Sequence, residues 1–288
     1  MTKLIKIPKC TKCDLEIHPG ARACASCGSD VGFPNVRLAN SVEEVEALRE
    51  RVRDAQASAE VRGTKVELEN FGREASESRA VLNRKLHAIN ELFAGQNTAM
   101  STYYKARRAG ARLPEHNEWD ASRDRVDSTI NPHGVHEEIQ FAALSLDGRG
   151  VKWYGDFGLV FEELKIAERA TVFEENPFTF LEKRPLAPKE QVPPGFRASW
   201  GRRGELAMAK LHSKIDAGMT VADFPKVLVD SDSTDGESDF IEVHIYGPLH
   251  TQSFSEVTAL VPENRADKII WQRVKSSLEK QDIKVSEL

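Results

Sequence analysis

Beyond residue 27 the chain contains no cysteine, so no disulfide can brace its larger part. It also lacks any apolar run near the ~18 residues that a bilayer crossing needs. The opening Met1-Thr2-Lys3-Leu4-Ile5-Lys6-Ile7-Pro8 carries lysines but no apolar stretch of signal-peptide length. A cytoplasmic protein without membrane contact is therefore expected. Neither charge sign dominates, since 40 Lys and Arg face 45 Asp and Glu for a net charge of −5. That balance gives no general attraction to nucleic acid, and any basic patch must be local. Glycine loops of the G-x-x-x-x-G-K-[ST] and G-x-G-x-x-G types are missing, as are H-E-x-x-H and G-x-S-x-G. P-loop, dinucleotide-fold, zincin and serine-hydrolase chemistry thus lack their usual signatures. What is present is a chain of 288 residues, 40% hydrophobic and 30% charged, a folded globular composition. Its length suits two domains, or one with an extended appendage.

All four cysteines fall in Cys10-Thr-Lys-Cys13 and Cys24-Ala-Ser-Cys27-Gly28. Each C-x-x-C pair can turn tightly so that both sulfurs meet one ion, and Pro19-Gly20 lies on the return between the pairs. In a reducing compartment this clustering points to metal binding rather than to disulfides. Four thiolates in a tetrahedron suit Zn²⁺ and leave it no open position for catalysis. A structural zinc ribbon over residues 1–38 is expected, with the metal supplying most of its folding energy. Gly28 gives the second knuckle its backbone freedom. Lys9, Lys12 and Arg22 flank the knuckles, where they can offset thiolate charge or touch phosphate or an acidic partner.

Residues 41–108 read as a long helical, coiled-coil-like region. Ser41 with Glu44 forms a capping-box pattern. Val45, Leu48, Val52, Ala55 and Ala59 follow a 3–4 spacing that falters near Gly63. It resumes in another frame as Leu68, Phe71, Ala75, Leu82, Ile89 and Leu92, which reads as a stutter or a break between helices. A spacer, a hairpin and a dimerising coil all fit, and an oligomerising or partner-binding stalk is the preferred expectation. Residues 109–135, with Pro114, Asn131-Pro132 and Gly134, read as a linker.

Residues 136–288 read as an α+β domain. Ile139–Leu146, Val151–Phe161, Ala170–Phe173, Lys226–Val229 and Phe240–Tyr246 are short apolar runs with Gly, Asp or Pro borders, the pattern of strands. Glu205–Ala217 and Ala266–Gln281 read as helices. His133 and His136, followed by Glu137-Glu138, invite a second metal site, but beside Pro132 and Gly134 a plain loop is the stronger reading. The acidic stretch Asp230–Asp239 reads as a solvated loop, with calcium binding as the alternative. In Asp239-Phe-Ile-Glu242-Val-His-Ile-Tyr-Gly-Pro248, strand alternation sets Glu242, His244 and Tyr246 on one face. A carboxylate inside an apolar strand is costly unless it is paired or used.

The run Phe240-Ile-Glu-Val-His-Ile-Tyr-Gly-Pro-Leu249, followed by Phe254-Ser-Glu-Val257, resembles the late glutamate-bearing strand of ADP-ribosyltransferase-like toxins. Upstream, Tyr154-Gly-Asp-Phe-Gly-Leu-Val-Phe161, Arg169-Ala-Thr-Val-Phe173 and Glu175-Asn176 are similar to segments of bacterial and phage-borne members. The resemblance covers roughly residues 139–260. It implies that Glu242 is the catalytic glutamate, binding the nicotinamide-side ribose of NAD⁺ and stabilising an oxocarbenium-like transition state. By the same resemblance Tyr154 and Arg169 contact nicotinamide or phosphate, with Asn176 and His244 also at the NAD⁺ site. No S-T-S segment, no H…Y…E set and no E-x-E pair accompanies them, since position 240 is Phe. By analogy this points away from arginine modification and leaves nucleic acid or another acceptor open. The expectation is an intracellular effector or toxin whose zinc ribbon and stalk select a target or bind a neutralising partner such as an antitoxin. A non-enzymatic adaptor binding nucleic acid or protein is the alternative. A nuclease built on Asp239, Glu242 and His244 ranks third, for want of a well-placed lysine.

Overall fold

The computed structural model describes residues 8–95, 98–110, 118–187, 190–230 and 239–288. Among these residues ten strands form: β1 (Arg79–Arg84), β2 (Ala99–Met100), β3 (Ile139–Ser145), β4 (Phe157–Phe161), β5 (Ala170–Phe173), β6 (Arg197–Ser199), β7 (Glu242–Tyr246), β8 (Leu249–His250), β9 (Phe254–Ala259) and β10 (Lys284–Glu287). Eight of them make one sheet in the order β10-β9-β4-β1-β3-β7-β5-β6, and β2 pairs with β8 apart from it. Neighbours in the large sheet run antiparallel, except that β10 lies parallel to β9 at one edge.

The helices are α1 (Pro34–Ala39), α2 (Val42–Arg62), α3 (Lys65–Ser76), α4 (Leu86–Leu92), α5 (Tyr103–Arg108), α6 (Glu118–Ile130), α7 (Glu163–Ile166), α8 (Pro177–Lys183), α9 (Arg203–Leu211), α10 (Phe224–Leu228) and α11 (Arg265–Glu279). None is long and apolar enough to cross a membrane among the described residues. Leu48, Ala55 and Ala59 of α2, Leu68, Phe71 and Ala75 of α3, and Leu206 of α9 share one core with Leu82, Val172, Val243 and Ile245 of the sheet. Trp271 of α11 joins that core, its ring 5.0 Å from that of Phe157. The opposite sheet face is more polar, and at its β5–β7 end it is covered by α1, α6 and α8.

These elements overturn the expected fold class, in which a long coiled-coil-like stalk led to an α+β domain. The protein is a mixed α/β fold, and no coiled-coil stalk is present among the described residues. Gly63, at φ 72°, ends α2, so the break read in the seam is real. The seam itself is core: its apolar residues lie against the sheet and α9, leaving no stripe for a dimerising coil. Leu82 belongs to β1, which runs through the middle of the sheet between β4 and β3. The stretch read as a linker contains α6. Lys226–Val229, read as a strand, falls mostly in α10, because Pro225 in the first turn suits a helix start. Only half of the expected capping box forms. Ser41 accepts from Glu44 N, but the Glu44 carboxylate turns to Arg197, 2.8 Å away, and to the Gly195 amide.

The α3–α9 contact depends on a missing side chain. A Cβ at Gly204 would lie 2.4 Å from the Gly72 carbonyl oxygen, a backbone atom that cannot swing aside. At Gly72 the nearest obstacle is the flexible thioether of Met208. Gly204→Ala is therefore expected to cost about 1–3 kcal/mol, as overpacked cores do, and Gly72→Ala less. Thermal melts of the two variants check the order.

Candidate functional site

Two groups of chemistry-bearing side chains stand out, and the first is the cysteine cluster. Asp14 N bonds to Cys10 O and Gly28 N to Cys24 O, at 2.8 and 2.9 Å, so the two C-x-x-C turns fold alike. In each, the residue after the second cysteine takes a left-handed backbone, Asp14 at φ 58° and Gly28 at φ 70°. The four Sγ atoms lie within 4.8 Å of one another. Cys10–Cys27 and Cys13–Cys24 stand 3.7 and 3.5 Å apart. Metal–sulfur bonds near 2.3 Å in a tetrahedron require edges of about 3.8 Å, so the thiols fit one ion. The Ser29 hydroxyl, 2.9 Å from Cys27 Sγ and 3.4 Å from Cys10 Sγ, favours their thiolate forms and pulls both thiols down.

This module is docked rather than tethered. Arg37 donates to the carbonyls of Val31, Gly32 and Pro19. Arg22 lies 3.6 Å over the Phe33 ring, which in turn meets Tyr246 of β7 at 5.8 Å. Asn35, buried in α1, donates to the backbone oxygens of Arg169 and His244. Tyr246 thus faces the cysteine module and not the other residues of its strand face. His133 and His136 do not converge. His133 stands against the ring of His18, and His136 pairs with Asp124 and packs on Tyr104. Among the described residues, the four cysteines are the only His, Cys, Asp or Glu group gathered closely enough for a metal. Within the acidic loop, residues 231–238 lie outside the described residues. Asp239, at its end, is taken up by Lys210 and Lys214.

The second group is centred on Glu242. As the alternation of β7 requires, Val243 and Ile245 enter the core while Glu242 and His244 take the polar face. Glu242 Oε2 lies 2.8 Å from His244 Nε2, and His244 Nδ1 lies 3.1 Å from Asn131 Nδ2, just past α6. Glu242 is only 7% exposed, and His244 is its one ion-pairing neighbour among the described residues. Burial raises the Glu242 carboxyl well above its ordinary 4.5; Asp127 adds to the effect and Arg123 opposes it. Burial, with Arg197 second, drives His244 down to about 3, so its imidazole is neutral at physiological pH.

Tyr154 and Asn176 lie beside this group. The β3–β4 loop folds back over the polar face because Asn83 binds the carbonyls of Arg149 and Gly155 and the amide of Val151. That places Tyr154 edge-on to Phe240 at 6.2 Å. Tyr154 is 46% exposed, yet burial and the nearby Glu242 push its phenol up to about 12, against a hydrogen bond to Asn176. Asn176 caps α8, its Oδ1 accepting from Phe178 N. A buried carboxyl that keeps its proton can act as an acid, or can ionise when a cation arrives.

Four residues expected at one site are therefore together: Glu242, His244, Tyr154 and Asn176. Arg169 is not among them. Its guanidinium donates to the carbonyls of Lys165, Tyr246 and Pro248, clamping the turn at the far end of β7 from Glu242. Asn131, Arg123 and Asp127 were missed. Asn131 and Asp127 carry no motif, and only the docking of α6 brings them to β7. No protein-family model matches this chain, and no curated protein is significantly similar to it.

Proposed function

We propose that the chain is an ADP-ribosyltransferase-like enzyme that cleaves the nicotinamide–ribose bond of NAD⁺ at Glu242. One observation carries this reading: a buried carboxyl on an inner strand whose ion-pairing partner among the described residues is a neutral histidine, with the Arg123 charge acting only from a distance. Such a group is stabilised by a cationic substrate, because an opposite charge favours its ionised form. The pyridinium of NAD⁺ supplies that charge, and the oxocarbenium-like transition state keeps it beside the carboxylate. The C1′–N bond breaks, nicotinamide leaves neutral with the bonding electrons, and the acceptor attacks C1′ and gives up its proton. Tyr154, close enough to Glu242 to feel its charge, and its partner Asn176 are assigned to the nicotinamide end. The cysteine module is assigned a structural Zn²⁺ and a role in engaging the acceptor, a nucleic acid or a protein, or a neutralising partner. The setting would be intracellular, in a toxin or phage-defence system.

Incubation with labelled NAD⁺ and cell extract, followed by separate protease and nuclease digestion, tests the class and identifies the acceptor. Label in neither fraction, together with no nicotinamide release, sinks the proposal. The activity should also carry a pH signature. Because the carboxyl must ionise, kcat/KM for NAD⁺ should rise with pH through an apparent pKa above 4.5, and a flat profile contradicts this.

A second reading rests on a different feature. A groove of about 2290 Å³ separates the cysteine module from the body and is lined by Arg22, Arg37 and Arg125 together with Phe33, Leu181 and Leu186. An adaptor that holds a partner there is the alternative. Salt-sensitive RNA or DNA binding lost in Arg125→Glu, without NAD⁺ turnover, would favour it.

A further inference from the structure

We propose that Asn131 is a positioning residue for Glu242, acting through the tautomer of His244; this rests on the reading of Glu242 as the reacting carboxyl. The Asn131 amide donates to Nδ1 of His244, which must then be the acceptor nitrogen. The ring proton is left on Nε2, which donates to Glu242 Oε2 at 2.8 Å. With Oε2 engaged as an acceptor, the proton of a neutral Glu242 resides on Oε1. In the other tautomer Nε2 would be a lone pair, and Glu242 would have to spend its proton on the histidine. Asn131 thereby decides whether that proton is available for exchange or locked within the strand.

Packing holds the histidine ring, and backbone bonds hold the Asn131 main chain beside it. The His244 ring stacks on Phe173 at 5.8 Å and 22° and meets Phe141 edge-on at 5.1 Å, so packing resists its rotation. Asn131 is held through its own backbone, its amide bonded to Asp127 O and its carbonyl to His136 N. The other groups facing the pair are Arg123 and Asp127 from α6, Arg197 from β6 and Tyr154 from the β3–β4 loop. None of these is placed to set the tautomer by a hydrogen bond to Nδ1, which is taken by Asn131.

Asn131→Asp tests the inference with little change of shape, because a carboxylate accepts where the amide donates. Nitrogen-15 spectra of the full-length protein, with His244 assigned by loss of its signals in His244→Gln, read the tautomer. The infrared carboxyl band, assigned by Glu242→Gln, reads the proton on Glu242. The parent should show Nε2–H. Asn131→Asp should move the proton to Nδ1, shift the Glu242 band and lower kcat about tenfold with KM for NAD⁺ nearly unchanged, a cost of about 1.4 kcal/mol. The pH limb of kcat/KM should move with it. Should the aspartate fail to fold, Asn131→Ala is read the same way and should show mixed tautomers. An unaltered Nε2–H form in the folded variant, or an altered tautomer with an unmoved Glu242 band, overturns the inference. Both spectroscopic readouts stand without turnover, so a failure of the NAD⁺ reading would be seen separately.

Discussion

Stripping the metal, or replacing Cys24 by Ser, should unfold residues 10–31 while the sheet keeps its cooperative melt. Within itself the module has little apolar core. Its apolar cluster is Cys10, Ile17 and Cys24, with Cys13, Ala21, Cys27 and Val31 packed around them, so most of its core is the four candidate ligands themselves. Structural zinc contributes about 10–16 kcal/mol to peptides of this kind, far more than such a cluster can replace. The body has its own large core and should survive. It should not be indifferent, however. Phe33 and Asn35 tie the module to Tyr246, Thr171 and the His244 carbonyl, so β7 loses support at one end. A fall of a few degrees in the melting temperature of the body is expected, with a partial rather than total loss of activity. Amide exchange in chelator and thiol reads both effects. Protected amides over residues 10–31 after metal removal would contradict the metal assignment.

Glu242→Gln should abolish transfer and at the same time stabilise the protein. Removing a fixed anion from beside a developing cation costs about a thousandfold or more in rate. The stability effect follows from linkage. Folding raises the Glu242 pKa above 4.5, so the folded state holds this proton more tightly than the unfolded state does. The stability it contributes is complete below pH 4.5 and is lost as pH climbs through the folded value. Each unit of that rise amounts to about 1.4 kcal/mol once the group is ionised. Glutamine escapes the loss, so its advantage should be larger at pH 8 than at pH 5. His244 works in the opposite sense. Its folded pKa is depressed from 6.5 to about 3, so its contribution is intact above 6.5 and is lost as pH falls toward 3. Melts of Glu242→Gln and His244→Gln across this range should therefore diverge from the parent at opposite ends. A glutamine variant less stable than the parent at pH 8 would refute the picture of a strained, proton-holding carboxyl.

Much of the site could be read in the sequence because local rules govern it. The alternation of β7 alone puts Glu242 and His244 side by side, and the two C-x-x-C turns bring their thiols together with backbone geometry that Gly28 forecasts. The fold was less legible for equally physical reasons. Leu82 continues a helical spacing begun at Leu68, yet it lies in a strand because β3 and β4 flank β1 on both sides. The capping-box reading failed for Glu44 because a buried Arg197 outcompetes the helix end for its carboxylate. Asn131 lies 113 residues from His244 in the chain, beyond the reach of any periodicity or motif. Arg169 had a family resemblance behind it, yet two carbonyls at the far end of β7 and one in α7 occupy its guanidinium.

The most direct test is nicotinamide release from NAD⁺ by the purified, metal-loaded protein in the presence of extract, measured beside Glu242→Gln at equal concentration. Release by the parent, lost in the variant while the variant melts at the same temperature or higher, is the predicted result. No release by the parent, or equal release by both proteins, would contradict the assignment of Glu242.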